Sequence, residues 1–138
     1  MPKVKEIMTD GVKPVSPSDT IAEVAQKMTD SALQVLPVCK NGRFSGIITE
    51  SDIVSNFVAK DHDPRHERAD SLVINHVPKV SAGSDIVDAA RIMANYGISY
   101  LPVVNNGGKF AGLLTIGDLV KESLALAIIV LASLKKDG

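Results

Sequence analysis

The chain contains an internal duplication, which constrains its fold more than any other feature of the sequence. Residues 15–28 (VSPSDTIAEVAQKM) match residues 80–93 (VSAGSDIVDAARIM) at a displacement of 65 positions. A duplication within 138 residues leaves repeats of only about 60 residues, too few to bury a substantial core separately. We therefore expect two small halves of similar fold that pack together.

The matching segments predict the same amphipathic helix in each half. Their apolar residues recur at positions i, i+3, i+4 and i+7, the spacing that places side chains on one face of a helix. These residues are Ile21, Val24, Ala25 and Met28 in the first half and Ile86, Ala89, Ala90 and Met93 in the second. Polar residues at 18–20 and at 84–85 are predicted to cap the two helices.

A β-hairpin is predicted after each helix. Its first strand is VLPV at residues 35–38 in one half and YLPV at 100–103 in the other. A proline within a strand predicts an edge strand or a strand end. Turns with Asn and Gly follow at 41–42 and 106–108. The chain then returns as a strand followed by a second helix, over residues 43–54 in one half and 109–120 in the other. Each half is thus predicted as strand, helix, strand, turn, strand, helix.

These patterns divide the chain into four parts. We predict a first repeat at residues 1–59, a charged, solvated linker at 60–71, a second repeat at 72–123, and an apolar helical extension with its tail at 124–138. The eleven apolar residues at 124–134 are too few to cross a hydrocarbon core of about 30 Å. We expect this run to pack on protein, with attachment to a membrane surface as the alternative.

Charge and cysteine content exclude several classes of function. A net charge of −1 provides no overall field that would gather nucleic acid or an anionic membrane. Cys39 is the one cysteine, so no intrachain disulfide or Cys-based zinc cluster can form. The first ten residues lack the apolar stretch of a secretory signal. These features predict a cytoplasmic protein.

The Leu-Pro-Val stretches, together with Gly-x-x-Thr-x-x-Asp in each half, resemble cystathionine-β-synthase (CBS) domains in tandem. The resemblance implies an α+β fold of two β-α-β-β-α repeats related by a pseudo-twofold axis, with the sheets packed together and the helices outside. It implies a regulatory role and a homodimer. It also implies binding of an adenosyl ligand such as AMP, ADP, ATP, S-adenosylmethionine or NAD in two clefts, with AMP or ATP expected here.

Two motifs, Thr49-x-x-Asp52 and Thr115-x-x-Asp118, are placed where a strand meets a helix N-terminus. A Thr hydroxyl there can donate to phosphate, and the carboxylate can accept ribose hydroxyls, while free N–H groups attract the anion. The same pattern also serves as a plain helix start, with Thr as N-cap and an acid in the first turn. Lys5, Lys13 and Lys79 lie near the motifs.

The resemblance also implies that each motif faces the early strands of the other repeat. It pairs Thr115 and Asp118 with Val12, Leu33, Gln34 and Val35, and it pairs Thr49 and Asp52 with Val77, Ile98, Ser99 and Tyr100. The apolar members would sandwich the adenine or would be ordinary core. Because Tyr100 and Ser99 stand where the first half has Val35 and Gln34, we expect unequal affinities.

The sequence does not favour metal binding, catalysis or nucleic acid binding, and it leaves a structural module as the alternative. His62 and His66 have the spacing of helical metal ligands, but Pro64 lies between them and favours a solvated loop. Neither a catalytic triad nor a catalytic cofactor is indicated, so we predict a protein that is not an enzyme. The alternative function is a structural dimerisation module, or one that docks on an unidentified protein, with empty clefts. Single-stranded nucleic acid binding lacks the required aromatics.

Overall fold

The computed structural model describes residues 1–134, which form a mixed α+β fold of two similar repeats. The helices are α1 (Val4–Ile7), α2 (Ile21–Ser31), α3 (Glu50–Asn56), α4 (Ile86–Tyr96), α5 (Ile116–Glu122) and α6 (Leu124–Ser133). The strands are β1 (Val35–Lys40), β2 (Arg43–Thr49), β3 (Val80–Ser81), β4 (Tyr100–Val104) and β5 (Phe110–Thr115). The predicted fold class and the repeated elements are confirmed.

The chain forms two compact units that do not coincide with the sequence repeats. The first-repeat unit is Val12–Val77, and the second-repeat unit combines Met1–Gly11 with the chain from Pro78 onward. The boundaries predicted from sequence place Met1–Gly11 in the first repeat instead. The difference arises because Val4 is fully buried in the core of the second-repeat unit, where its N–H donates to the Ser84 carbonyl at 2.8 Å.

A short extended segment from outside each hairpin pairs with its returning strand. Thr9 exchanges two backbone hydrogen bonds with Leu113 of β5, at 2.7 and 3.0 Å. Ile74 does the same with Ile47 of β2, at 2.8 and 3.0 Å. Thr9 and Ile74 are 65 positions apart, so the pairing is part of the duplication. Thr9, in the first predicted repeat, therefore completes the hairpin of the second repeat, and Ile74, in the second predicted repeat, completes the hairpin of the first.

Pro102 lies in an inner strand, so the prediction of an edge strand or strand end was wrong there, whereas Pro37 lies in β1 of a two-stranded sheet. Strand β4 lies between β3 and β5 in the order β3-β4-β5, and β1 bonds Val15 on the side away from β2. Pro102 is tolerated because its ring nitrogen stands one residue before the β3 ladder begins, at the Val80 and Val103 pair.

The predicted N-caps differ between the two amphipathic helices. Thr20 caps α2, accepting from the Glu23 N–H at 3.1 Å, and Glu23 bonds back to the Thr20 N–H in a capping box. Asp85 occupies the corresponding position before α4 but, within residues 1–134, makes no side-chain cap bond. Its carboxylate instead lies 3.5 Å from Lys3 Nζ. Asp85 therefore occupies the predicted N-cap position, but the predicted hydrogen bond from its side chain to the helix is wrong.

The charged connector packs on the first-repeat unit, in contrast to the solvated linker expected from its composition. Ala69 is fully buried, and its N–H donates to the Asp19 carbonyl at 2.7 Å. The Ile21 N–H at the start of α2 donates to the Glu67 carbonyl at 3.0 Å. The connector thus satisfies backbone groups at the N-terminus of α2, which would otherwise need water.

Candidate functional site

Both Thr-x-x-Asp motifs form helix starts at the end of a hairpin. Thr49 Oγ1 accepts from the Asp52 N–H at 3.1 Å, and Thr115 Oγ1 accepts from the Asp118 N–H at 3.2 Å. The plain reading of the motif as an N-cap is therefore confirmed. A capping hydroxyl keeps its own proton, so either Thr can still donate a hydrogen bond to a ligand.

The two motif carboxylates have different partners. Asp118 accepts the Thr9 hydroxyl at 3.0 Å on both of its oxygens, and its Oδ2 accepts the Thr115 N–H at 2.9 Å. In the part of the chain that the structure describes, Asp52 accepts one bond, from the Asn56 amide at 3.1 Å. Ile74 stands at the position that corresponds to Thr9. The Asp52 carboxylate therefore keeps acceptor positions that Asp118 uses within its own unit.

Each motif Thr lies beside the first strand of its own hairpin. Val35 pairs with Thr49 across β1 and β2, and Tyr100 pairs with Thr115 across β4 and β5. The Gln34 carbonyl accepts the Glu50 N–H at 2.9 Å, and Ser99 makes the corresponding bond in the second-repeat unit at 2.9 Å. The pairing of each motif with the strand of the other repeat stays a prediction.

Four of the five apolar residues assigned to the clefts are also part of the two cores. Val35 is buried, while Val12 and Leu33 pack against the core of the first-repeat unit and Ile98 packs against that of the second. Val77, Ser99 and Tyr100 are partly exposed, and Gln34 is exposed. The reading as ordinary core is thus supported for these four residues and not for Val77. The polar members and Tyr100 keep surface that a ligand could contact.

A glycine in the middle of each returning strand, Gly46 in β2 and Gly112 in β5, allows the close approach of the added segment. A Cβ on Gly112 would lie 2.7 Å from the Thr9 carbonyl oxygen, and a Cβ on Gly46 would collide with the Ile74 carbonyl oxygen. Since the neighbouring atoms are backbone, they cannot turn away as a side chain would. Within each unit, these glycines therefore make room for the packing of the added segment.

A pocket of about 450 Å³ lies between α2 and α3 of the first-repeat unit. Its lining residues are Ala25, Met28, Thr29, Ala32, Leu33, Gln34, Glu50, Ile53 and Val54. It includes Leu33 and Gln34 of the predicted ligand set but neither Thr49 nor Asp52. Sequence reasoning missed this pocket, although the small residues along α2 were its signal. The residues that line the pocket belong mostly to α2 and α3, and neither motif carboxylate is among them.

The histidines of the connector contact separate carboxylates. His62 Nδ1 lies 2.9 Å from Glu67 Oε2, and its ring stacks on Phe57, whereas His66 Nε2 lies 3.5 Å from Asp63. No group of three or more potential ligands that could hold a metal occurs among residues 1–134. Burial raises the pKa of the Cys39 thiol, which keeps the thiol protonated near neutral pH and lowers its nucleophilicity.

The Thr9 hydroxyl is expected to contribute to stability through Asp118. Thr9→Val removes a bond to a charged group while keeping the shape of the side chain, so the free energy of unfolding should fall by about 1–2 kcal/mol. Urea unfolding measures the change. Thr29→Val is the matched control, because its hydroxyl bonds only the Ala25 carbonyl of its own exposed helix turn. Equal stabilities of the two variants would contradict this role for Thr9.

The fold and the motifs define a class of small proteins built from a pair of α+β repeats, and comparisons with known proteins identify the family. The family described as CBS domain matches residues 4–59 and 69–125. An uncharacterized 17.7 kDa protein of Acidianus ambivalens is 37% identical over 123 residues, covering 88% of this chain and 73% of that protein. The chain belongs to the CBS domain family, whose paired members are known regulatory modules.

Solved structures support the same assignment. The conserved CBS domain protein TA0289 of Thermoplasma acidophilum superimposes with a TM-score of 0.82 at 26% identity, over 96% of this chain and 75% of that chain. CBSX2, a CBS-pair protein of Arabidopsis thaliana solved in complex with AMP, has a TM-score of 0.76 at 22% identity, over 90% of this chain and 97% of its own. The second similarity concerns the fold.

Proposed function

We propose that this chain is a regulatory module that binds an adenine nucleotide, AMP or ATP, at a site centred on Thr49 and Asp52. The observation that carries the proposal is the Asp52 carboxylate, which accepts one side-chain hydrogen bond in the described part of the chain, from Asn56. A carboxylate with unused lone pairs can accept both hydroxyls of a ribose. Thr49, whose hydroxyl proton its cap bond does not use, donates to the ligand.

The second motif is proposed to support the fold. A ribose at Asp118 would have to displace the Thr9 hydroxyl, which bonds both carboxylate oxygens. It would also compete with the Thr115 N–H, whose loss would weaken the start of α5. Binding there therefore costs interactions that binding at Asp52 does not. The inequality expected from Tyr100 and Ser99 thus gains a second physical reason.

The remaining predicted residues complete the proposal. Following the family resemblance, the ligand at Thr49 and Asp52 also contacts Val77, Ile98, Ser99 and Tyr100, and the weaker cleft at Thr115 and Asp118 uses Val12, Leu33, Gln34 and Val35. The AMP bound to CBSX2 supports an adenine nucleotide as the ligand. ADP, S-adenosylmethionine and NAD belong to the same chemical class. The proposed compartment is the cytoplasm, since a single thiol suits a reducing environment.

Ligand binding is proposed to act as a signal rather than as a step of catalysis. A ligand changes the arrangement of a protein only if it binds one arrangement more tightly than another. The proposed output is a contact with a second copy of the chain or with a separate target protein. The surface that makes this contact is inferred below from the residues of this chain.

The proposal is tested by thermal unfolding with AMP, ADP, ATP, NAD and S-adenosylmethionine. A ligand at about 100 times its Kd stabilises the folded state by about 2.7 kcal/mol, so at least one adenosyl compound should raise the Tm. Ribose 5-phosphate and GMP serve as controls for phosphate and for the wrong base. An unchanged Tm with every adenosyl compound at millimolar concentration would reject nucleotide binding and favour the structural module.

A further inference from the structure

Helix α6 has an exposed face that consists entirely of apolar residues. Ala127 and Val130 are fully buried, whereas Leu124 and Ile128 are 60% and 55% exposed, and Ile129 and Leu131 are 57% and 48% exposed. With the exposed Ala125 and Ala132, these residues form the outer face of α6. A helix that is apolar on all sides is normally buried, and a patch of this kind marks an interaction surface.

The inner face of α6 fills a groove of the second-repeat unit. The helix packs against both α4 and α5. Ala127 and Val130 join a core cluster with Ala90, Met93 and Leu119 of those two helices. Small residues stand at 90 and 94 of α4 and at its C-cap, Gly97, and they allow a helix to approach closely. The groove between the two helices of this repeat is therefore built to hold an apolar helix.

The corresponding groove of the first-repeat unit is the pocket between α2 and α3, called here the α2/α3 groove. Each of its nine lining residues has a counterpart 65 or 66 positions later, including Ala25 with Ala90 and Met28 with Met93. After α3 the chain turns away through Val58–Lys60 and the connector, so no helix follows to cover this groove. Val54 at its edge stays 57% exposed.

We propose that the α2/α3 groove holds the outer face of α6 from a second copy of this chain. The duplication is the argument: the chain has two grooves of one design and a single helix that fits them, and that helix has a second apolar face. The outer face of α6 and Val54 at the edge of the groove are both exposed.

This contact does not involve Thr49 or Asp52, and it specifies how the proposed dimer forms, although Leu33 and Gln34 of the weaker cleft also line the groove. Neither Thr49 nor Asp52 lines the groove, and α6 belongs to neither motif. If two copies exchange the contact, each groove and each outer face is covered once, which gives a closed twofold dimer. Variants of the groove should therefore change the mass of the protein in solution while leaving any Tm shift by AMP or ATP in place.

Light scattering after size exclusion, from about 1 to 100 µM protein, tests the contact. The wild-type chain should have twice the mass of 14.6 kDa. Val54→Glu and Ile128→Glu should each raise the dimer Kd about 100-fold, because each buries a charge in the contact. Tyr96→Glu, at a residue 62% exposed on α4, is the matched control and should leave the Kd unchanged. A monomeric wild type, or a dimer that tolerates either Val54→Glu or Ile128→Glu, overturns the proposal.

A second measurement covers the case in which a glutamate variant misfolds. In a Cys39→Ser background, one chain carries Val54→Cys and another carries Ile128→Cys, and the two are mixed under mild oxidation. The proposal requires a disulfide between the two different chains. Crosslinking of the Ile128→Cys chain with itself in place of the mixed pair would assign the dimer to paired α6 helices. Binding of the monomer to anionic vesicles through Ile128 would assign the outer face to a membrane. Either result overturns the α2/α3 groove as the partner of α6.

Discussion

Replacing Asp52 with alanine is expected to abolish the Tm increase that AMP or ATP causes, while Asp118→Ala keeps it. Two hydrogen bonds from ribose hydroxyls to a carboxylate contribute about 1.5–3 kcal/mol each, so the ligand Kd should rise at least about 100-fold when Asp52 is lost. Asp118 already bonds Thr9 and Thr115 within its own unit. Its loss should instead lower the stability of the ligand-free protein.

Calorimetric titration of the two variants with AMP and ATP separates affinity from stability. Asp52→Asn is the conservative control, because it keeps the shape and one acceptor oxygen and should recover part of the affinity. The site assignment fails if Asp118→Ala loses the ligand response and Asp52→Ala retains it. A response that survives in both single variants would move the ligand away from the two motifs, whereas the dimer contact of α6 would be unaffected.

A methyl group at Gly46 is expected to lower the free energy of unfolding by about 3 kcal/mol. Its Cβ would collide with the Ile74 carbonyl oxygen and would lie 2.7 Å from Val73 Cγ1. The segment at Ile74 would have to move, and its two hydrogen bonds to Ile47 would be lost or stretched. Rotation of the Val73 side chain does not relieve the collision with the Ile74 carbonyl oxygen, because that oxygen belongs to a hydrogen-bonded backbone.

Urea unfolding of Gly46→Ala against Gly83→Ala measures this effect. Gly83 is the matched control, since a Cβ there would meet nothing closer than Ser81 Oγ at 4.0 Å, and its stability should change by at most about 0.5 kcal/mol. Gly112→Ala should behave as Gly46→Ala does, because the Thr9 carbonyl oxygen lies 2.7 Å from the added atom. If Gly46→Ala is as stable as the control, the close pairing of Ile74 with β2 is not needed for folding.

The predictable part of the fold rests on local chemistry. The apolar spacing at Ile21 and Ile86 predicted α2 and α4, and Asn41 with Gly42 predicted the first hairpin turn, where both residues have positive φ angles of 55° and 79°. The Thr49 and Thr115 caps followed from residues three positions apart. Such features depend on neighbours within one or two turns, so a sequence pattern contains all the information that they need.

The sequence predicted which residues belong to the candidate site but not which hydrogen-bond partners their side chains have. The sequence named Asp52 and Asp118 as equivalent carboxylates, because both end a Thr-x-x-Asp motif. Their difference comes from Thr9, which is 109 positions from Asp118 and reaches it only because the N-terminal segment pairs with β5. No local pattern shows such a partner, since the pairing is decided by which segment best completes the sheet edge.

The duplication, the helix and strand order and the family follow from the sequence alone, because periodic burial and turn chemistry are written into short stretches of residues. Only the tertiary structure decided that Thr9 and Ile74 each complete the hairpin of the other repeat and that Pro102 lies in an inner strand. It also decided that α6 fills the groove between α4 and α5 while the α2/α3 groove stays open. Those outcomes depend on packing between distant segments. The two similar sequence repeats therefore present different surfaces, one groove that is covered by α6 and one that is open.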